Sequence, residues 1–308
     1  MINRRIVLVH NPRSSRAKGV YKKVILPIKN AHLPADKYVE YIVTPIGPNN
    51  NAKLLSRKLA DRDLVIVAGG DGTASIAANA ILQTNFDGIQ LAVFGFGNFN
   101  DIATTFPAGK LGIKKLLDGN YKTRRLYPLE IKMDNRRFRY GVLYASFGLL
   151  AGAANQFENR KHRQSLRHGG ANLLYSLLML LPYYIRNKKR HFLPDYRLND
   201  ETTIYSKTTD YMAVNSPVVA KMFRTGQILY NKSDFLRVQL KVSHFWRSVP
   251  FVVRSLTGSM PGILTERDDL WFEQPAKVAV QIDGEYEEFL NIEKITVKKS
   301  DKHLSMVV

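Results

Sequence analysis

The sequence predicts an N-terminal α/β domain with a mostly parallel sheet, followed by a β-rich, sandwich-type C-terminal domain. Over residues 1–125, short apolar runs alternate with helical segments, and strands joined by helical crossovers pair in parallel. Over residues 126–290 strand patterns dominate, and residues 236–242 alternate strictly, as in an antiparallel strand with one exposed face. The tail, from about residue 290 to 308, is expected to pack back on the first domain.

Each predicted element follows from its own pattern. In the first domain, β-branched runs predict strands at residues 6–9, 38–43, 64–67 and 91–94, with helices at 18–30, 51–60 and 73–82. The last two strands are almost wholly apolar, which is typical of strands covered on both faces. In the second domain, strands are predicted at 129–133, 137–143, 203–205, 211–214, 236–242 and 277–282, and an apolar helix near 171–185.

The composition narrows the classes of function. The 308 residues include no cysteine, which excludes disulfides, thiolate metal sites and cysteine nucleophiles. The formal charge of +20, from 46 basic and 26 acidic residues, favours polyanionic partners: nucleic acid, an anionic membrane or phosphorylated substrates. A solvated basic surface is the alternative. Residues 1–10 lead into a strand pattern without a signal peptide, so we expect a cytoplasmic protein.

A glycine-rich loop follows the third predicted strand. Residues 69–73 read Gly-Gly-Asp-Gly-Thr and lead into a helix. Glycines let an anion approach the backbone, and a helix N-terminus adds amide donors and partial positive charge, which together favour a nucleotide phosphate. Asp71 would repel a bare phosphate but suits Mg²⁺, directly or through water. The alternative is a tight turn in which Asp71 and Thr73 serve only as turn and cap residues.

Two further turns are predicted at the same edge of the sheet. The first strand ends at the polar and basic residues 11–16, and the fourth ends at residues 95–101, which carry two glycines and Asp101. Ligands of open α/β sheets bind outside the carboxyl ends of the strands, so these turns predict a nucleotide–metal site. The candidate nucleotide-binding residues are Asn11, Arg13, Ser14, Gly69, Gly70, Asp71, Gly72, Thr73, Gly97, Asn98 and Asn100, and the candidate metal residues are Asp71 and Asp101.

Another candidate lies far along the chain, where residues 283–285 read Asp-Gly-Glu. The Asp-Gly pair is ordinary hairpin chemistry. Glu285 is of interest because phosphoryl transfer to an alcohol benefits from a carboxylate that accepts the hydroxyl proton. The sequence has no P-loop, no G-x-G-x-x-G after the first strand and no H-R-D or D-F-G kinase motif. Its seven histidines lack metal-ligand spacing, so zinc is not expected.

These motifs resemble the diacylglycerol kinase catalytic-domain family, which includes bacterial diacylglycerol kinases and sphingosine kinases. The resemblance is carried by Asn11-Pro12, the loop 69–73, Asn100-Asp101 and residues 283–285, in order. It implies an NAD-kinase-like nucleotide domain, a C-terminal β-sandwich, ATP and Mg²⁺ as cofactors, and a lipid alcohol as acceptor. By matching position, it implies that Asn11 and the loop hold nucleotide phosphates, that Asp101 organises Mg²⁺ through water, and that Glu285 is the general base.

The chain departs from the usual pattern of that family at several positions. Ile76 stands where a glutamate is usual, Asn98 replaces a threonine, and Ser15 replaces a glycine. The Asp-Asp-Gly that supports a structural Mg²⁺ in some bacterial members corresponds to Lys-Ser-Asp at residues 232–234, so we do not expect that second metal site. These departures motivate an alternative function, a catalytically weak homologue that binds nucleotide or lipid as a regulator.

A cation-flanked apolar stretch predicts contact with a membrane. Residues 171–185 form an apolar stretch of about 15 residues, fewer than the roughly 20 that a spanning helix needs. Cations on both sides of this stretch would contact anionic lipid headgroups. The alternative is a buried core helix whose charged flanks keep its ends in water. The predicted contact residues are Arg160, Lys161, Arg163, Arg167, Arg186, Lys188, Lys189 and Arg190.

We therefore predict an ATP-dependent lipid kinase that transfers the γ-phosphate to a lipid hydroxyl at the membrane surface. The acceptor would be diacylglycerol, a sphingoid base or a related lipid, in phospholipid biosynthesis or related lipid metabolism. The enzyme would be cytoplasmic and peripherally membrane-associated. A soluble-substrate kinase of the NAD-kinase type is a further alternative. Nucleic acid is not an expected partner, because the basic cluster flanks aliphatic residues rather than stacking aromatics. The identity of the lipid and the oligomeric state are left open.

Overall fold

The computed structural model describes residues 4–14, 16–134, 136–152, 193–219, 223–241 and 249–308. It divides into two compact units, the first comprising Met1–Tyr127 with Asp301–Val308 and the second comprising Pro128–Ser300. The predicted fold class is confirmed, because the first unit is α/β with a mostly parallel sheet and the second is rich in antiparallel strands. The predicted helix at 171–185 and the eight predicted membrane-contact cations lie outside the described residues.

The first unit alternates strands and helices along the chain. Its strands are β1 (Ile6–His10), β2 (Tyr38–Ile42), β3 (Leu64–Gly69), β4 (Gln90–Gly95) and β5 (Thr123–Leu126). Its α-helices are α1 (Ala17–Val20), α2 (Leu26–Asn30), α3 (Pro48–Ser56), α4 (Asp71–Gln83), α5 (Asp101–Thr105) and α6 (Gly112–Leu117). A π-helical turn at Tyr21–Ile25 joins α1 to α2, so the helix predicted at 18–30 is one helical segment with a π turn inside it.

The strand order of the first unit is β2-β1-β3-β4-β18-β5, where β18 is Leu304–Val307. Strands β1 to β4 pair in parallel, β18 runs parallel to β4, and β5 pairs antiparallel with β18. Apolar residues of α1, α2 and α6 join those of the central strands in one buried cluster. Strand β3 is buried along its whole length, which explains its unbroken apolar run.

The C-terminal tail returns to the first unit later than predicted. The return begins at Asp301, not near residue 290, because residues 285–299 form a long strand of the second unit. Once in place, the tail also contacts α4: Lys302 Nζ donates to the carbonyl oxygens of Leu82 at 2.8 Å and Thr84 at 3.3 Å. A cation therefore lies at the C-terminal end of α4, where the helix dipole favours positive charge.

The second unit consists mainly of strands. They are β6 (Leu129–Met133), β7 (Arg136–Gly141), β8 (Tyr144–Gly148), β9 (Tyr196–Leu198), β10 (Ile204–Tyr205), β11 (Asp210–Val214), β12 (Val218–Val219), β13 (Phe223–Arg224), β14 (Phe235–Leu240), β15 (Ile263–Thr265), β16 (Arg267–Ile282) and β17 (Glu285–Lys299), with helix α7 (Val249–Leu256). The strand predicted at 137–143 ends at Gly141, because residues 142–143 form a turn before β8.

Ten of these strands form one hydrogen-bonded network rather than two separate sheets. The main path is β15-β14-β11-β8-β16-β17-β6-β7, and off this path β9 pairs with β16 and β10 pairs with β9. Strand β16 makes this possible, since it pairs with β9 at Leu270–Phe272 and with β8 at Val280–Ile282, with register shifts against β17 in between. Alternate residues of β6, β8, β11, β16 and β17 are buried in one apolar core.

Candidate functional site

The turns after β1, β3 and β4 meet at the carboxyl edge of the parallel sheet. The three strands are neighbours in the order β1-β3-β4. Backbone hydrogen bonds join their turns: Arg16 N donates to Phe96 O at 3.0 Å, and Phe96 N donates to Gly69 O at 2.6 Å. The structure therefore brings the predicted nucleotide-binding residues of all three turns together.

Glycines allow two of these turns to pack backbone against backbone. A Cβ added to Gly97 would lie 2.6 Å from Gly70 Cα, and one added to Gly70 would lie 3.1 Å from Gly97 Cα. A Cβ added to Gly69 would lie 2.5 Å from Thr73 Oγ1. Non-bonded carbon atoms normally lie about 3.5–4.0 Å apart, so the close approach of Gly70 and Gly97 requires glycine at both positions. The result is a turn whose backbone is open to a ligand.

Helix α4 begins inside the glycine loop. Gly70 is its N-cap residue, Asp71 is its first residue, and the side chains from Thr73 to Leu82 are buried. The first amides of an α-helix have no intrahelical acceptor and carry partial positive charge. Because α4 begins directly after the end of β3, these amides lie at the carboxyl edge of the sheet. The arrangement suits an anion such as a nucleotide phosphate.

Asp71 and Asn100 connect the loop to α5. Asp71 Oδ1 accepts a hydrogen bond from Ile102 N at 2.9 Å, so part of its role is to hold the start of α5. Asn100 has a left-handed backbone with φ of 56°, and its side chain bonds to Gly97 twice: Oδ1 accepts from Gly97 N at 2.6 Å, and Nδ2 donates to Gly97 O at 2.8 Å. Asp101 is buried at the start of α5. Asn100 is therefore a structural clamp of the turn.

The turn after β1 is organised by Asn11. Its Oδ1 accepts from Arg13 N at 2.9 Å, and its carbonyl accepts from Ser14 N at 3.0 Å. The side chains of Arg13 and Arg16 are exposed on this turn, so they add positive charge at the same edge of the sheet. This charge adds to the partial positive charge at the N-terminus of α4.

The departures from the usual motif occupy different environments. Ile76 is buried within α4, so no carboxylate takes the place of the usual glutamate at this position. Asn98 is half-buried in the turn after β4, and Ser15 lies outside the described residues. In the second unit, Ser233 Oγ donates to Asp234 Oδ1 at 3.3 Å. No three His, Cys, Asp or Glu side chains converge as metal ligands anywhere in the described ranges.

Glu285 belongs to the second unit, as the first residue of β17. The two-residue turn before it is Asp283-Gly284, and both residues have left-handed backbones, with φ of 49° and 90°. Ile282 and Glu285 pair across the turn. This is the hairpin that the Asp-Gly pair predicts, because a type I′ turn needs positive φ at both central residues.

Asp283 was interpreted from sequence only as a turn residue, but its side chain does more. It is buried, and its carboxylate accepts from the backbone amides of Val142 at 2.7 Å, Leu143 at 2.8 Å and Tyr144 at 3.3 Å. Burial raises the pKa of the Asp283 carboxyl, and the three amides lower it in part. The sequence offered no signal for these contacts, which join residues about 140 positions apart.

Lys299 is a second buried polar residue of this unit. Its Nζ donates to Asn215 Oδ1, and to Leu229 O at 3.1 Å. Asn215 is itself buried. Burial lowers the pKa of the Lys299 ammonium to about 7, and the charge of Asp234 raises it in part. A lysine pKa this low makes the second unit's stability depend on pH.

We expect the free energy of unfolding of the second unit to rise with pH above neutrality. Between pH 7 and the unfolded lysine pKa of 10.5, the unfolded chain binds a proton that the folded unit has lost, so folding gains stability as pH rises. Below about pH 7 both states bind the proton, and the Lys299 contribution is constant. The gain from pH 7 to pH 9 should be about 2 kcal/mol.

Denaturant titrations of the full chain at pH 7 and pH 9 measure this effect. Both tryptophans, Trp246 and Trp271, lie in residues 128–300, so their fluorescence follows the second unit. In Lys299→Met, Asn215 Oδ1 and Leu229 O lose their donor at every pH. Because the variant lacks the titrating ammonium, its free energy of unfolding should no longer rise between pH 7 and pH 9. Equal pH dependence in the variant and the unmodified protein would contradict the assignment to Lys299.

Comparisons with known proteins are consistent with the geometry of the first unit. The family model described as the diacylglycerol kinase catalytic domain matches residues 5–126. This match confirms the resemblance that the motifs predicted, and the matched span contains all three turns of the sheet edge. No curated protein matched the chain.

Two solved bacterial structures align with nearly the whole length of the chain. A diacylglycerol kinase from Bacillus anthracis str. Sterne aligns with a TM-score of 0.61 at 11% identity, covering 98% of this chain and 96% of that chain. A protein proposed to be a diacylglycerol kinase from the same strain aligns with a TM-score of 0.64 at 14% identity, with the same coverage. At these identities the likeness shows a common fold. Within the described residues, no helix is long and apolar enough to cross a bilayer.

Proposed function

We propose that the protein is an ATP-dependent lipid kinase that transfers the γ-phosphate to a lipid hydroxyl. The observation that carries this proposal is the match of residues 5–126 to the diacylglycerol kinase catalytic domain. The proposed phosphate-binding site is the glycine loop at the start of α4, which lies within that span. The acceptor that we propose is diacylglycerol, a sphingoid base or a related lipid, with a role in phospholipid biosynthesis or related lipid metabolism.

The residues at the loop fit Mg²⁺ held mainly by nucleotide phosphates. In kinase sites Mg²⁺ keeps several waters and binds one or two carboxylates together with substrate phosphates. Asp71 is half-buried beside the loop and offers such a carboxylate, and Asp101 stays a predicted second one, acting through water. When bound, Mg²⁺ neutralises charge that develops on the transferred phosphoryl group.

The chain's own residues supply binding and proton transfer. Backbone amides at the start of α4 bind the phosphates, and the exposed Arg13 and Arg16 side chains add positive charge. The lipid hydroxyl oxygen forms a bond to the γ-phosphorus, the bond from that phosphorus to the bridging oxygen breaks, and ADP leaves. We propose that Glu285 accepts the hydroxyl proton.

We also propose that the protein works while peripherally bound to an anionic membrane. The net charge of +20 supports attraction to anionic lipids, at about 1 kcal/mol for each basic residue close to the surface. Sedimentation with vesicles of anionic and neutral lipid tests this, because binding driven by charge weakens as salt rises. Binding that is absent, or insensitive to salt, would count against the proposal.

The test of the kinase function is transfer of label from ATP to lipid. The full chain is incubated with γ-labelled ATP, Mg²⁺ and vesicles carrying a panel of lipid alcohols, with NAD in a parallel reaction. A labelled lipid supports the proposal. Label on NAD alone would favour a soluble-substrate kinase, and tight ATP binding without any transfer would favour a regulator.

Asp71→Asn is a sharp variant for this assay. The asparagine oxygen can still accept from Ile102 N, as Asp71 Oδ1 does at 2.9 Å, so α5 keeps its contact while the negative charge is lost. We expect most of the transferred label to disappear while the protein stays folded. Full transfer by this variant would show that the Asp71 charge is not needed for Mg²⁺.

One observation favours the alternative of a catalytically weak homologue. Ile76 is 6% exposed and packs where the family usually has glutamate, so that carboxylate has no replacement at this position. Ile76→Glu would bury a charge at high cost, so it is a poor test. The measured turnover of the unmodified protein decides between the two functions.

A further inference from the structure

The turn that carries Glu285 is held by a neighbouring strand connection. Residues 142–144 join β7 to β8, and β8 pairs with β16 next to the turn, with Ala145 opposite Ile282. Asp283 closes this end of the pair, because its carboxylate accepts from three amides of the connection and its own amide donates to Tyr144 O at 3.2 Å. The turn is therefore bonded to its neighbour as well as to its own hairpin.

The other side of the same connection is held by Asn215. Its backbone amide donates to Leu143 O at 2.7 Å, and its Nδ2 donates to Val142 O at 3.0 Å. Lys299 Nζ donates to Asn215 Oδ1, which fixes the orientation of the amide group. The amides of residues 142–144 thus bond to the Asp283 carboxylate, and the carbonyls of residues 142 and 143 bond to Asn215. The side chains of Asp283, Asn215 and Lys299 are all buried.

We infer that Asp283 is a positioning residue for Glu285, with Asn215 supporting it from the far side of residues 142–144. The inference rests on the proposed function, in which Glu285 accepts the hydroxyl proton. Glu285 is two residues from Asp283 and begins β17 directly after the turn. A base must lie within hydrogen-bond reach of its proton, so a small displacement of the turn lowers the rate of transfer.

Asp283→Asn tests the inference with little change in shape. Asparagine tolerates the left-handed backbone, but its amide group has one acceptor where the carboxylate has two, so one of the bonds to the connection is lost. We expect kcat for lipid phosphorylation to fall about tenfold while KM for ATP is unchanged. The acid limb of the pH profile of kcat should shift, because it reports the protonation of Glu285 in a changed position.

Asp134→Asn is the matched control. Asp134 also has a left-handed backbone, with φ of 47°, in the turn between β6 and β7. Its Oδ1 accepts from two backbone amides, Glu293 N and Lys294 N, each at 3.0 Å. The substitution is the same and the contacts are similar, but this turn does not carry Glu285. We expect wild-type kcat and an unchanged pH profile.

The outcomes separate the two proposals. All rates are measured at a temperature where circular dichroism shows each variant fully folded, so a loss of stability alone leaves kcat unchanged. If Asp283→Asn does not fold, Asn215→Ser replaces it, with the same expected fall in kcat. Wild-type kcat and pH profile in the folded variant, alongside loss of activity in Glu285→Gln, would overturn the positioning role alone. An unmodified protein that transfers no label to any lipid overturns the kinase function, and this inference with it.

Discussion

Replacing Glu285 by glutamine is expected to lower the rate of lipid phosphorylation by about 10²–10⁴-fold, the usual contribution of a general base. Glutamine has nearly the same shape but cannot accept the hydroxyl proton. Its pairing with Ile282 across the turn is made by the backbone, so the β16–β17 hairpin should tolerate the change. Affinity for ATP should be unchanged, because the phosphate cradle is built from residues of the first unit.

Single-turnover transfer from labelled ATP is the appropriate measurement, because it reports the chemical step rather than product release. Glu288→Gln serves as the control. It is the same substitution on the same strand, at an exposed position where the glutamate pairs with Lys277 at 2.9 Å on the surface. We expect that variant to keep wild-type activity. Full single-turnover activity in Glu285→Gln would falsify the assignment of the base.

The glycine loop between β3 and α4 could be predicted from sequence because its physical requirements are local. A strand that ends in Gly69-Gly70 and a helix that starts at Asp71 define a turn within a few residues. The order of the strands was not visible, but the apolar runs of β3 and β4 indicated a covered parallel sheet, and such sheets collect their ligand turns at one edge. The closeness of the three turns thus followed from the topology of the sheet rather than from any one motif.

The buried polar residues of the second unit could not be predicted, because their partners are distant in sequence. Asp283 bonds to Val142 across 141 positions, and Lys299 bonds to Asn215 across 84. For Lys299 a weak signal did exist. Ile295, Val297 and Lys299 alternate along β17 and share its buried side, so strand periodicity places the lysine inward. Lysine side chains are rarely buried, so the residue type itself predicted a surface position for Lys299.

Strand ends were the other source of error, and the reason is again tertiary. Residues 137–143 are β-rich enough to predict one strand, yet the chain turns after Gly141 because Asp283 and Asn215 hold residues 142–143 in a tight connection. The tail was expected to leave the second unit near residue 290, but β17 continues to Lys299 in register with β6. Contacts with residues distant in sequence set both limits, and the local pattern does not report them.

Gly97→Ala is expected to disrupt the proposed phosphate site, because Gly97 packs against Gly70 of the glycine loop. The added methyl would lie 2.6 Å from Gly70 Cα and 3.0 Å from Asn100 Oδ1, so the turn after β4 must move away from the glycine loop. Overpacking of this kind costs about 1–3 kcal/mol, and the displaced loop should bind ATP about 10- to 100-fold more weakly. Calorimetric titration with ATP and Mg²⁺ measures the affinity, and thermal unfolding measures the stability.

Gly109→Ala is the matched control for this change. Gly109 also lies in the first unit, and the atom nearest to an added Cβ is Phe94 Cδ1 at 3.6 Å, an ordinary contact. Its φ is not in the left-handed region, so alanine meets no backbone strain there. We expect that variant to bind ATP normally and to be at least as stable as the unmodified protein, since alanine lowers the entropy of the unfolded chain. If both alanine variants bind ATP equally well, the close approach of Gly70 and Gly97 does not shape the phosphate site, and the cradle must depend on the N-terminus of α4 alone.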